Sequence, residues 1–208
     1  MALNEWDITE ILSHYIQKND VCVDVGANEG YYTRFLANEL DGTGKIYSIE
    51  LFPETFRMLI SEFGNQPNIE IINCAVSDSD GFVKYYRGRD SSTNNIIGHD
   101  MDYNKNEEAG EIKSMKLDTI LQSESKIKLI KIDVEGSENM VLRGMGETLK
   151  KTDIVFLECH LDEHWKETIN ILLIENDFEV FRLEDMKKLS IEDPRSYHIL
   201  CKKKNQTA

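Results

Sequence analysis

Apolar residues follow two rhythms along this chain. Val21-Cys22-Val23, Lys45 to Glu50, Ile69 to Cys74, Leu129 to Asp133, Ile154 to His160, Phe178 to Leu183 and Ser196 to Lys202 are short runs rich in β-branched and aromatic residues, and they read as strands. Between them the apolar spacing is helical. Residues 5 to 17 carry Ile8, Ile11, Leu12, Tyr15 and Ile16 on one stripe behind Asn4 as N-cap, and Tyr31 to Leu40 follows the first strand. Thr55 to Phe63, with Pro53 in its first turn, places Phe56, Leu59, Ile60 and Phe63 together. A helix opening at Gly136 or Ser137 turns Met140, Val141 and Leu142 inward, and residues 165 to 175 are amphipathic. Phe82 to Tyr86 and Ile112 to Met115 are shorter strand segments, and Leu117 to Leu121 a short helix. Strands alternating with helices predict an α/β fold on a doubly wound, mostly parallel sheet.

Composition narrows the class. A chain of 208 residues, 40% hydrophobic, can bury a sizeable core as one domain over 1–208. A formal net charge of −14 argues against a nucleic-acid partner, which needs clustered Lys and Arg. Cys22, Cys74, Cys159 and Cys201 are scattered in apolar runs without a C-x-x-C pair, the usage of buried free thiols in a reducing compartment. With no apolar run long enough to span a membrane and no signal-peptide core, the expected location is cytoplasmic. The pattern breaks at residues 87–110, a polar, aperiodic stretch that reads either as a substrate lid or as a plain mobile insertion.

Candidate chemistry gathers at strand ends, where open α/β sheets bind ligands. The first strand runs into Asp24-Val25-Gly26-Ala27-Asn28-Glu29-Gly30, a tight turn that opens a helix, so backbone N–H groups face whatever binds there. Asn28 stands where a dinucleotide fingerprint places its second glycine, and a carboxylate at Asp24 suits a ligand with a cationic amino-acid portion. S-adenosylmethionine therefore fits better than NAD. Glu50, twenty residues past Gly30, is spaced to accept ribose hydroxyls, and Phe52 either packs on an adenine face or is simple packing. Asp133 and Glu135 project to the same crevice, where they position a substrate hydroxyl, hold a cation or cap the helix. Glu138 reads as the helix-capping acid. Alternation puts Glu158 and His160 on one side of their strand, and a neutral imidazole near pH 7 at His160 can take a proton from a bound hydroxyl. His160 and His164 lack the surrounding pattern of a zinc site, so no metal site is assigned. His14, His99 and His198 read as structural or surface residues.

Taken together, Asp24 to Thr33, Ile49-Glu50-Leu51-Phe52-Pro53, Ala75-Val76-Ser77-Asp78, Leu117-Asp118, Asp133 to Glu138 and Leu157-Glu158-Cys159-His160 resemble the FkbM-type methyltransferases, in the right order from about residue 20 to 160. The resemblance implies a seven-stranded, Rossmann-like S-adenosylmethionine-dependent fold and methyl transfer to a hydroxyl of a sugar, glycan or natural product. It implies that Asp24, Gly26, Asn28 and Gly30, with Ala27 and Tyr32, line the methionine side. Glu50 would hold the ribose, with Leu51 and Phe52 beside it and Asp78 at the adenine edge. His160 is then the expected base, with Asp133 and Glu135 positioning the acceptor and a divalent cation between them as a variant. An RNA methyltransferase and a cofactor-binding module without catalysis are the alternatives. The acidic balance weighs against the first, and the presence of Glu135 and His160 against the second.

Overall fold

A computed structural model describes residues 3–88, 94–96 and 107–204. The lid-or-insertion reading of 87–110, and His99 within it, therefore falls largely outside the described residues. Seven strands form one sheet in the order β3-β2-β1-β7-β8-β10-β9, built from β1 (Val21–Val25), β2 (Lys45–Glu50), β3 (Ile69–Asn73), β7 (Ile127–Ile132), β8 (Thr152–Glu158), β9 (Phe178–Arg182) and β10 (His198–Lys203). All neighbours are parallel except β10, which runs antiparallel to both β8 and β9. Strand order reverses between β1 and β7, which opens a crevice at their carboxyl ends.

Helices cover both faces because each buried strand alternates its side chains between them. Cys22, Ile46, Leu129, Phe156 and Leu200 face helices α1 (Glu5–Ser13), α2 (Tyr31–Leu40) and α3 (Pro53–Phe63). Val23, Ile49, Ile130, Val155 and Ile199 face α5 (Glu138–Arg143), α6 (Gly146–Lys150) and α7 (Trp165–Asn170), with the short α4 (Leu117–Ile120) beside them. Helix α1 starts on a capping box: Asn4 Oδ1 accepts the Asp7 N–H at 3.0 Å, and the Asp7 carboxylate accepts the Asn4 N–H at 3.1 Å. It ends at Ser13, four residues before the periodicity does. In α3, Leu59 and Phe63 are buried while Ile60 is exposed, because the helix turns Thr55 rather than Ile60 toward the sheet.

The chain departs from one continuous sheet after Asn73. Ala75–Val76 (β4) leaves β3 and pairs with β6 (Glu107–Met115), which also pairs with β5 (Gly81–Arg87), giving a separate three-stranded sheet in the order β4-β6-β5. All four cysteines are buried free thiols. Among the described residues no helix is long and apolar enough to cross a membrane.

Candidate active site

The crevice at the strand reversal is an open cleft. Gly26 and Asn28 from the glycine turn, Glu50 and Leu51 from the end of β2, and Asp133 and Glu135 after β7 all stand in its wall. Gly26 is required by close approach: at φ +76° its missing Cβ would lie 1.8 Å from the Asp133 carbonyl oxygen. Gly30, also at positive φ, serves packing instead, since a Cβ there would meet the Leu59 and Phe63 side chains. Asn28 Oδ1 is buried in the cleft wall with no hydrogen-bond partner among the described residues.

Glu50 does more than face a ligand. Its carboxylate accepts the Asn28 N–H at 2.8 Å, the Phe52 N–H at 2.7 Å and the Thr55 hydroxyl at 2.8 Å. Burial raises its pKa against those three donors. It thereby fixes the glycine turn, the end of β2 and the start of α3 as one piece, with one acceptor position left of the roughly four a carboxylate offers.

Several residues expected at the cofactor are absent from the cleft wall. Asp24 is fully buried beneath the turn, where its Oδ2 accepts the Thr33 hydroxyl at 2.7 Å and its Oδ1 lies 3.2 Å from the Lys131 ammonium. The cation that Asp24 asks for is therefore supplied by the neighbouring strand, in register with it. Tyr32 is buried and packs on Phe156, and Ala27 sits in the core under the turn. Phe52 is covered by Tyr85, with ring centroids 5.5 Å apart, and by the Arg87 guanidinium 4.6 Å from its ring centre. This is the packing alternative for Phe52, built by the second sheet. Asp78 accepts the Ser77 and Ser79 hydroxyls at 3.4 and 3.2 Å and lies off the cleft wall. The wall is completed by Ile49, Cys74, Ala75 and Val76, and by Asn94 and Ile96 from the insertion. Asn95 between them exchanges backbone hydrogen bonds with Tyr86, and Asn94 Oδ1 accepts the Gly88 N–H at 2.9 Å.

Lys131 was not among the expected site residues. Its Nζ donates to the Gly26 carbonyl at 2.7 Å and lies 3.6 Å from Asp133 Oδ2. Burial alone would discharge this ammonium, but Asp24, Asp133 and Glu158 outweigh it and raise its pKa. The clue in the sequence is a lysine inside the apolar run Leu129-Ile130-Lys131-Ile132. The 2-residue period puts it on the same face as Asp24 and Ser48.

His160, two residues beyond β8, completes an acid-rich rim. Its Nδ1–H donates to Glu138 Oε1 at 2.6 Å, while Nε2 lies 3.1 Å from the Tyr197 hydroxyl, 3.5 Å from Glu135 Oε2 and 3.7 Å from Asp133 Oδ1. Glu138 Oε1 also accepts the Gly136 N–H at 2.9 Å, so the capping acid is at the same time the partner of His160. Burial opposes a charge on the imidazole, yet the Glu138 hydrogen bond and the charges of Glu138, Glu135 and Asp133 prevail and lift His160 to about 9. The carboxylates folded around the ring thus favour its charged form. Burial, opposed by His160 and helped by Asp133, pushes Glu135 up to about 8, and burial beside Asp133 raises Glu158. Asp133 Oδ1 is left buried with no hydrogen-bond partner among the described residues. Atoms of Asp133, Glu158 and His160 lie within 4.8 Å of one another, close enough to share a cation.

Strand order, crevice and polar rim define a doubly wound α/β domain with a cleft at the carboxyl ends of β1, β2 and β7 and an acid-rich rim at β7 and β8. Residues 24–186 match the methyltransferase FkbM domain, and the chain belongs to that family. Hexuronic acid methyltransferase AglP of Haloferax volcanii is 25% identical over 171 residues, covering 81% of this chain and 67% of that protein. A methyltransferase FkbM from Methylobacillus flagellatus superposes with a TM-score of 0.59 at 18% identity, over 90% of this chain but 44% of the other. The chain thus spans less than half of that structure. A putative methyltransferase from Streptococcus mutans, solved in complex with SAH, has a TM-score of 0.55 at 12% identity over 98% of this chain and 99% of its own. At these identities the structural likenesses establish the fold.

Proposed function

We propose that this chain transfers the methyl group of S-adenosylmethionine to a hydroxyl of a sugar or glycan. The observation that carries the reading is the buried, hydrogen-bond-free Asp133 Oδ1 in the wall of the cleft that Gly26, Asn28 and Glu50 form. The residues present fit the methyl donor. Asn28 Oδ1 is a free acceptor for an ammonium group, Glu50 keeps one acceptor position for a ribose hydroxyl, and Ile49, Leu51, Ala75 and Val76 give an apolar slot for a base. When bound, the sulfonium supplies an activated methyl group. The protein's part is to hold an acceptor oxygen in line and to receive its proton.

With the His160 imidazole protonated, that proton falls to Asp133, whose Oδ1 is free, while His160 and Lys131 hold positive charge 3.7 and 3.6 Å from its two oxygens. His160 is then an electrostatic partner of the base rather than the base itself. AglP, named for a hexuronic acid, supports a sugar as the acceptor class. Calorimetric titration with S-adenosylmethionine and with S-adenosylhomocysteine, followed by transfer of a radiolabelled methyl group to hexuronic acid and neutral sugar glycosides, tests the reading. Binding with transfer is the expected result, and no binding of either nucleoside overturns it.

A further inference from the structure

Tyr197 is placed where neither the glycine turn nor the strand ends called for a residue. It precedes β10 and lies 37 positions after His160, yet its hydroxyl is 3.1 Å from His160 Nε2. The ring meets His160 edge-on with centroids 5.3 Å apart and His198 likewise at 4.7 Å. The Tyr197 backbone carbonyl accepts the Cys159 N–H at 2.7 Å, so the phenol is anchored to the end of β8 itself. Burial and the carboxylates of Glu158, Asp133 and Glu135 keep the phenol protonated.

The direction of these bonds is set from one end. Glu138 fixes Nδ1 as a donor, and on the charged ring that the surrounding carboxylates favour, Nε2–H faces the Tyr197 hydroxyl, Glu135 Oε2 and Asp133 Oδ1 at 3.1, 3.5 and 3.7 Å. The phenol is the nearest of the three, and its oxygen has lone pairs to accept Nε2–H. Without it, a small ring rotation would bring Nε2–H onto Asp133 Oδ1 and fill the lone pair that the acceptor's proton needs.

We propose that Tyr197 is a positioning residue of the acceptor site: its hydroxyl holds His160 Nε2–H so that Asp133 Oδ1 stays free to receive the acceptor's proton. This rests on the methyl-transfer reading, and its test separates the two. In protein labelled with nitrogen-15 at histidine, His160 is identified by comparison with His160→Gln, and Tyr197→Phe keeps the ring while removing the hydroxyl. Tyr197→Phe should move the His160 Nε2 resonance and leave Nδ1, still held by Glu138, in place, with S-adenosylhomocysteine affinity and melting temperature unchanged. Its methyl-transfer kcat should fall by roughly 100-fold, the scale of a small misplacement at a reacting centre, with KM for S-adenosylmethionine unmoved. A purely structural tyrosine would lower the melting temperature and leave the Nε2 resonance and kcat alone. An unmoved Nε2 resonance overturns the proposal whether or not an acceptor is turned over, and so does an unchanged kcat. A moved resonance in a protein that binds neither nucleoside would instead overturn methyl transfer and leave the Tyr197–His160 contact standing.

Discussion

Glu50 Oε2 accepts the backbone N–H of Asn28 at 2.8 Å, so the acid at the end of β2 is a clasp on the turn that follows β1. Glu50→Gln keeps the size but presents an NH₂ group to backbone donors that need an acceptor. Stability should fall by about 1 to 3 kcal/mol, the cost of leaving a buried donor unpaired, and S-adenosylmethionine affinity should fall with it. Thermal melts and calorimetry check both. A drop in affinity with no drop in stability would mean that Glu50 serves the ribose alone.

Asp133→Asn should remove the proton acceptor while leaving the strand end intact. Methyl transfer should fall by roughly 10²- to 10⁴-fold, the usual contribution of a positioned base, with little change in S-adenosylmethionine affinity. Single-turnover transfer with radiolabelled donor measures it. If His160→Gln costs far more than Asp133→Asn, the base is the histidine after all.

Stability should decline as pH rises. His160 is raised from 6.5 to about 9 in the fold, so its contribution is fully present below about 6.5 and is lost as pH climbs through about 9. Glu135, raised from 4.5 to about 8, adds in the same direction, because the folded state again binds more protons than the unfolded one. Melting temperature should therefore drop between pH 5 and pH 9 in the wild type. Glu135→Gln should flatten that slope and melt higher than the wild type at pH 9.

Lys131→Met should destabilise by about 3 to 5 kcal/mol, because it strands Asp24 as an uncompensated buried charge. Adding Asp24→Asn should return part of that loss, since the neutral amide needs no cation. Denaturant unfolding of the two single variants and the double variant measures the coupling. Strict additivity would show that the 3.2 Å pair contributes nothing.

Much of the architecture is legible in the chain because its strands are short apolar runs and its helices keep a 3.6-residue stripe. Lys45 to Glu50 is read as a strand and is β2 without adjustment, and the alternating arrangement is the one observed. What local pattern cannot carry is which strand lies beside which. Nothing near Asp24 in the chain shows that Lys131, more than 100 residues on, sits next to it in register. Phe52 reads equally as an adenine platform or as packing, and the cover that β5 gives it with Tyr85 and Arg87 comes from a strand whose place local pattern does not reveal. The second sheet is hidden for the same reason. Nothing local at Cys74 says that the extended chain changes partners there, where Ala75–Val76 leaves β3 for β6. His160 is legible as a rim residue, but the carboxylates of Glu138, Glu135 and Asp133 that favour its charged form are brought around it only by the fold.

The reversed strand has a consequence for how such a rim is supplied. A parallel strand delivers to the crevice only the residues that leave it, so each rim group after β1, β2, β7 and β8 belongs to an outgoing loop. β10 travels the other way, and what it brings to that end of the sheet is the chain arriving, Ser196-Tyr197-His198, at the threshold of the strand. Had β10 run with its neighbours, its outgoing lysines would stand there instead, opposite an edge already rich in carboxylates. One change of direction thus recruits an aromatic hydroxyl and a second imidazole from the far end of the polypeptide, and sends Lys202 and Lys203 to the opposite pole of the molecule.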